Sequence, residues 1–135
     1  MALAARYGNG WDGITGLRGD GQGFRAKLAE FRRTCEREGR DSATIEVVCS
    51  ANVLVLPDES ATQAMIDHIA AATGWPRDKV RDQYIIGTPD DVVRRLVMAA
   101  EWGITHLVCT LGVRMYTLWS DATLELFGNE VLPRL

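Results

Sequence analysis

A capped helix followed by a short apolar run limits the fold of this chain more than any other feature of its sequence. Residues 88–91 (TPDD) provide a capping threonine, a proline for the first helical position and an acid for the third. They predict a helix over 92–102, which Gly103 ends. The next residues, 104–111 (ITHLVCTL), have the length and apolar character of a strand covered on both faces. This order is typical of a parallel α/β sheet.

The remainder of the chain alternates in the same way. Strands are predicted at 11–15, 45–56 and 104–111, and helices at 1–7, 20–38, 59–73, 75–84, 92–102 and 121–131. Gly8 and Gly10 are expected to close the first helix in the left-handed conformation, and its short length suggests the tail of a longer helix. About three parallel strands with flanking helices are too few to close an eight-stranded barrel.

Apolar side chains recur at the spacing of buried faces. One stripe of the helix at 20–38 carries Phe24, Leu28, Phe31 and Cys35. The last helix carries a similar stripe of Leu124, Phe127 and Val131. One face of the strand at 45–56 is entirely apolar, whereas Glu46, Ser50 and Asn52 interrupt the other. The sequence therefore predicts a strand with a single apolar face.

The size and charge of the chain exclude several classes of protein. Its 135 residues fit one domain, 1–135, and 47% hydrophobic with 24% charged residues is typical of a globular protein. The net charge is −3 and the basic residues are dispersed, so a nucleic-acid-binding face is not expected. No apolar stretch is long enough for a membrane span, and no signal peptide is recognisable, so we expect a cytoplasmic protein.

The cysteines and histidines do not form a metal motif. Cys35, Cys49 and Cys109 are widely spaced, and neither histidine stands near one at zinc-site intervals. We expect reduced, buried thiols rather than a reactive nucleophile. His106 is expected to be packed and hydrogen-bonded within its strand, and His68 to be solvated or packed on its helix.

Several segments, taken in order, resemble the end of the luciferase-like monooxygenase family, which includes flavin-dependent and coenzyme F420-dependent oxidoreductases. They are ALAARYGNGWDG at 2–13, IIGTPDDVVRRL at 85–96, WGITHLVCTLG at 102–112 and LELFGNEVLPRL at 124–135. The connection CEREGRDSATIEV at 35–47 is also similar to that family. Together the segments extend over essentially the whole chain.

The resemblance implies part of a (β/α)8 TIM barrel. The chain would be a C-terminal segment with strands six to eight, and the glycine pair that cradles the cofactor phosphate would lie before Met1. The implied cofactor is FMN or coenzyme F420, which carries the chemistry of hydride transfer or oxygen activation, so no catalytic triad is required. The glycine-rich residues 19–23 (GDGQG) are interpreted as a flexible loop rather than a replacement phosphate cradle.

Barrel enzymes place their sites at the carboxyl ends of the strands, which directs attention to a few residues. Residues 15 and 16 are among them. Asn52 and Thr110 are candidates for contact with the cofactor. Arg114 and Tyr116 follow the last strand and are candidates for substrate binding, with the guanidinium holding an anionic group. The alternatives are an Asn52 that satisfies backbone groups at a strand end, and an ordinary surface loop around Arg114.

Two hypotheses about function follow. In the first, the chain is part of a flavin- or deazaflavin-dependent oxidoreductase or monooxygenase, inactive alone and completed by self-association or by a chain carrying strands one to five. An open sheet of three parallel strands would otherwise expose unpaired edges and apolar faces. In the second, it is a non-catalytic truncated remnant or a small oligomeric binding or assembly module.

Overall fold

A computed structural model describes residues 1–13, 17, 19–114 and 117–135 of the chain. The strands are β1 (Gly10–Asp12), β2 (Glu46–Val55), β3 (Ile85–Gly87) and β4 (His106–Thr110). The helices are α1 (Ala2–Tyr7), α2 (Gln22–Arg37), α3 (Glu59–Thr73), α4 (Arg77–Gln83), α5 (Pro89–Glu101) and α6 (Asp121–Leu126). Single turns of other helix types occur at Ser42–Thr44, Phe127–Val131 and Leu132–Arg134. Among the described residues, no helix is long and apolar enough to span a membrane.

Strand β2 pairs with each of the other described strands. Gly10–Asp12 lie parallel to residues 46–48, and Ile85–Gly87 lie parallel to residues 53–55. Strand β4 also pairs with β2. The expected α/β architecture, a parallel sheet with flanking helices, is confirmed.

The number of strands differs from the prediction. About three strands were expected, and the described part of the chain contains four. The additional strand is β3, whose three residues are too few to show an alternating pattern. It is a strand because its backbone pairs with β2, and the Leu56 N–H extends this pairing by donating to the Gly87 carbonyl at 2.9 Å.

The chain divides into two compact units. The first contains residues 1–50 and 99–108, and the second contains residues 51–98 and 109–135. Strand β2 passes through both, because the division falls between Ser50 and Ala51. The two units are described separately below.

The core of the first unit forms around α2. The predicted stripe is confirmed, since all four of its members are buried: Phe24, Leu28, Phe31 and Cys35. Trp11 of β1 stacks on Phe31 with ring centroids 4.7 Å apart and an interplanar angle of 8°. Alternate residues of β2, namely Ile45 just before it, Val47 and Cys49, complete the core.

The core of the second unit forms between β2 and α3. Leu54 packs in one cluster with Met65, Ile66 and Ile69 of α3. Val53 and Val55, which point to the opposite face, are also completely buried. The prediction of a single apolar face is therefore wrong for this half of β2, because both of its faces are covered. Helix α3 matches the predicted range and ends at Gly74, whose φ is 70°.

The first helix ends for a different reason from the one expected. Gly8 has φ −78° and ψ 150°, which is extended and not left-handed. A Cβ atom at Gly8 would lie 2.8 Å from the carbonyl oxygen of Ala4. The glycine is therefore needed for the close approach of the turning chain to the last carbonyls of α1.

The C-terminal helix is less regular than predicted. Phe127 and Val131 are buried, but Leu124 is 49% exposed, so the expected stripe of three residues is wrong. From Phe127 to Val131 the chain forms a π-helical turn, and this changes the period of the helix. Residues before and after this point consequently do not share one face.

Strand β4 is less buried than its composition suggested. His106 is exposed, Leu107 is partly buried and Val108 is 41% exposed. The expectations of a strand covered on both faces and of a packed His106 are therefore wrong for this structure. The described part of the chain supplies a pairing strand for β4 but leaves the side chains of His106 and Val108 exposed.

The glycine-rich segment before α2 leads into the helix through a left-handed turn at Gly21. Gly21 precedes the helix with φ 76°, and the Gln22 N–H donates to the Asp20 carboxylate at 2.9 Å. A Cβ atom at Gly21 would overlap the indole ring of Trp102, and Arg25 lies 5.9 Å from that ring. The glycine therefore allows the N-terminus of α2 to pack directly on Trp102.

The capping motif at residues 88–91 is confirmed, with α5 beginning at Pro89. The Thr88 hydroxyl donates to the Asp91 carboxylate at 2.7 Å, and the Thr88 N–H donates to the same oxygen at 3.2 Å. The hydrogen bond from the Thr88 hydroxyl is the main cause of a lowered pKa of Asp91, to which Arg94 also contributes. The ionised carboxylate therefore stabilises the start of α5.

We expect Asp91→Asn to reduce the free energy of unfolding by about 1 kcal/mol near pH 7, as for the loss of a helix cap. The pKa of Asp91 is lowered in the folded state, so its contribution is present above the ordinary aspartate value of about 4 and is lost as the pH falls through and below it. Urea denaturation of both proteins across this range measures the difference. A gap that stays constant down to about pH 3 would contradict the role of ionised Asp91. Asp90→Asn, which removes only an exposed ion pair with Arg134, is the control.

We expect Gly21→Ala to destabilise the chain by roughly 2 to 4 kcal/mol, since it combines left-handed backbone strain with overlap on Trp102. Gly23→Ala is the matched control, because Gly23 lies within α2 and has no atom near the position of an added Cβ. That control should be neutral or stabilising by up to about 1 kcal/mol. Denaturant titration distinguishes the two variants, and equal effects would refute this account of the Gly21 turn.

Candidate functional site

The two residues predicted to contact a cofactor lie on the paired strands β2 and β4. Asn52 lies within β2, before its last residue Val55, and is partly buried. Its place inside the strand differs from the alternative of a strand-end residue. Thr110 is the last residue of β4 and is also partly buried. Both side chains can donate and accept hydrogen bonds.

The segment after β4 carries Arg114, and hydrogen bonds join its described residues on either side of positions 115 and 116. The Trp119 N–H donates to the Leu111 carbonyl at 2.7 Å, and the Thr117 hydroxyl donates to the Arg114 carbonyl at 2.7 Å. A side chain at Gly112 would overlap Thr117, so the two ends of the loop approach closely. Arg114 itself is exposed. Tyr116, like residues 15 and 16, lies outside the described residues.

A tyrosine that the sequence reasoning did not identify anchors this loop. Tyr84 lies between α4 and β3, is 9% exposed, and donates its hydroxyl to the Val113 carbonyl at 2.7 Å. Burial raises the pKa of Tyr84, which keeps the phenol protonated as a donor. No local pattern predicts this bond, because its partners are distant in the sequence.

An aromatic contact holds the far end of the loop. The rings of His68 on α3 and Trp119 are 5.5 Å apart at an angle of 60°. Both side chains remain exposed, with 38% of the Trp119 surface accessible. The loop that carries Arg114 is thus fastened near its start by Tyr84 and near its end by His68.

The three cysteines have the properties of structural thiols. Burial raises the pKa of Cys49 to about 11, with a further contribution from Asp12, and burial alone raises the pKa of Cys109 to about 11. Burial also raises the pKa of Cys35. A reactive cysteine requires the opposite shift. Within the described ranges, no group of histidine, cysteine and carboxylate residues is arranged to hold a metal ion.

A polar cleft of 280 Å³ lies beside the loop anchor in the second unit. Its lining includes Arg81 and Arg95 together with Glu59, Asp91 and Tyr84. Arg81 donates to the side-chain oxygen of Gln63 at 3.0 Å. Because the two arginines are matched by two carboxylates, the cleft has no strong preference for ligands of one charge.

We expect Tyr84→Phe to loosen the loop after β4, because it removes the donor to Val113 and costs about 1 kcal/mol. Hydrogen exchange at the Trp119 amide, which is bonded within the loop, should become several-fold faster. Tyr7→Phe, at an exposed tyrosine of α1, is the control and should leave that amide unchanged. Unaltered exchange in Tyr84→Phe would show that the hydroxyl does not hold the loop.

The fold was compared with solved structures, and three similar ones illustrate the result. The F420-dependent tetrahydromethanopterin reductase of Methanopyrus kandleri matches with a TM-score of 0.69 and 19% identity, over 98% of this chain and 47% of that one. The monooxygenase RslO1 of Streptomyces bottropensis matches with a TM-score of 0.66 and 19% identity, over 98% and 44%. The oxygenating constituent of 3,6-diketocamphane monooxygenase from Pseudomonas putida, in complex with FMN, matches with a TM-score of 0.59 and 15% identity, over 99% and 45%.

No protein-family model and no curated protein sequence matches this chain. The chain spans less than half the length of these three solved structures. The identities are low, so the agreement concerns the fold. The resemblance to luciferase-like enzymes that the sequence motifs predicted is thus confirmed at the level of fold, and the chain has the α/β fold of these F420-dependent and flavin-containing oxidoreductases over about half of their length.

Proposed function

We propose that this chain forms the C-terminal part of a flavin- or deazaflavin-dependent oxidoreductase or monooxygenase of the luciferase-like family. Strands β1, β2 and β4 would correspond to strands six, seven and eight of the family barrel. The observation that carries the proposal is the agreement in fold over 98% of the chain with an F420-dependent reductase. The ordered sequence motifs support it independently, because they were recognised from residue identities and not from the backbone.

We further propose that the chain is inactive until the preceding strands are supplied. Strands of a closed parallel barrel are covered on both faces, whereas β4 leaves His106 and Val108 exposed here. The missing strands would come from a complementary chain or from self-association. Either arrangement would bury apolar side chains that are now accessible to water.

The proposed cofactor is FMN or coenzyme F420, and the described residues fit only part of it. The amide of Asn52 and the hydroxyl of Thr110 can form hydrogen bonds with a flavin-type ring. The turn at Gly21 does not fit a phosphate, because the Asp20 carboxylate already accepts the Gln22 N–H. The phosphate anchor would therefore belong to the complementary part. The bound cofactor would supply the redox chemistry, and this chain would orient the ring.

Substrate binding is proposed for the loop after β4. Arg114 is exposed and could hold an anionic group of the substrate in a two-point contact, and Tyr116 is the second residue proposed for substrate binding. The fastening of this loop by Tyr84 supports the proposal, because a binding side chain on an anchored loop loses less conformational freedom.

Titration with oxidised and reduced FMN and with coenzyme F420 tests the function. We expect the 135-residue chain as a monomer to bind neither at micromolar concentration, and its self-associated form or a mixture with a polypeptide that supplies the preceding strands to bind one of them. Light scattering should show self-association of the isolated chain. In the completed protein, Asn52→Ala or Thr110→Val should weaken cofactor binding by about three- to tenfold, as for the loss of one hydrogen bond.

The controls separate this proposal from a non-catalytic module. Asn129→Ala, at an exposed asparagine of the C-terminal turn, should leave cofactor affinity unchanged. Absence of binding in every completed form would instead favour a truncated remnant or a binding module. A stable, cofactor-free monomer of the isolated chain would contradict the proposed need for completion.

A further inference from the structure

The first unit contains a cavity of 390 Å³ that the proposed function does not use. It lies between α2, the turn at Ser42–Thr44, the first residues of β2 and the segment that enters β4. These are the amino-terminal ends of the two strands, whereas Thr110 is at the carboxyl end of β4. Its volume falls in the range of about 300 to 1,000 Å³ that small-molecule sites occupy.

The floor of the cavity is apolar. It consists of Leu28, Phe31, Ile45 and Val47, each of which is at most 6% exposed. The stacking of Phe31 on Trp11 holds one side of this floor in place. A short hydrocarbon group placed over the small accessible part of this floor would be removed from water.

The rim of the cavity carries a positive charge. Arg32 of α2 is exposed and has no ion-pair or hydrogen-bond partner within the described part of the chain. Its Nη2 atom lies 3.5 Å from the position that a Cβ atom would take at Gly103, which is also a lining residue. Ser42 adds a hydroxyl group, the Thr105 hydroxyl is paired with the Val47 backbone, and none of the described lining residues is acidic. The cavity is thus complementary to an anion.

We propose that this cavity binds a small amphipathic monocarboxylate. The short apolar body lies against the accessible edge of Val47, and the carboxylate receives a two-point contact from the Arg32 guanidinium. An apolar pocket with one oriented charged group is the usual construction of a small-molecule site. The polar cleft of the second unit is a weaker candidate, since Glu59 and Asp91 offset its arginines. This proposal does not depend on the redox function proposed above.

Titration of the chain with hexanoate, with hexan-1-ol as the neutral analogue, tests the site. We expect saturable shifts of the methyl resonances of Leu28, Ile45 and Val47 in heteronuclear spectra, together with a change in Trp11 fluorescence. Hexan-1-ol should bind at least about tenfold more weakly, because it offers no charge to Arg32. Arg32→Gln should weaken hexanoate binding roughly tenfold or more and leave hexan-1-ol binding unchanged.

Two variants make the result decisive. Arg33→Gln removes the same charge from the adjacent, exposed position of α2, which does not line the cavity, and should leave binding unchanged. Ala43→Phe adds a ring at the mouth and should abolish binding while circular dichroism remains that of the unmodified chain. Equal affinity for the acid and the alcohol, equal losses in Arg32→Gln and Arg33→Gln, or shifts confined to residues outside the cavity would each overturn the proposal.

Discussion

The pairing of strand β2 with its neighbours is the interaction on which the rest of the structure depends. Its backbone forms hydrogen bonds along its length. At its start the Glu46 N–H donates to the Asn9 carbonyl at 2.8 Å, and just beyond its end the Leu56 N–H donates to the Gly87 carbonyl at 2.9 Å. Both β1 and β3 run parallel to it, and parallel strands cannot be joined by tight turns. The intervening helices are therefore required by the connection, and their apolar faces supply the two cores.

The same strand also explains why the candidate sites lie where they do. Near its amino end, β2 contributes Val47 to the floor of the apolar cavity. Near its carboxyl end it carries Asn52, a polar residue in an otherwise apolar segment. A regular parallel sheet collects side chains from different strands at each of its ends, so residues distant in sequence can serve one ligand. The proposed cofactor contacts and the proposed carboxylate site use opposite ends of the strand.

Local features of the fold were predictable from the sequence. The ends of α3 follow from the Asp58 cap and from Gly74, and the start of α5 follows from Thr88. These signals act between residues close in the chain, so a sequence pattern contains all the interacting groups. Strand β3 and the Tyr84 anchor escaped prediction because each depends on a partner from another part of the chain. The roles of Asn52, Thr110 and Arg114 remain predictions.

The sequence by itself determined the alternation of strands and helices, the caps of α3 and α5, the apolar stripe of α2 and the resemblance to the luciferase-like family. All of these depend on which residues follow one another and at what spacing. Only the tertiary structure decided which apolar side chains are covered. Leu54 is buried because α3 packs over it, whereas Val108, in an equally apolar strand, stays exposed. Burial depends on what packs against a side chain, and the hydrophobicity of a residue does not specify its neighbours.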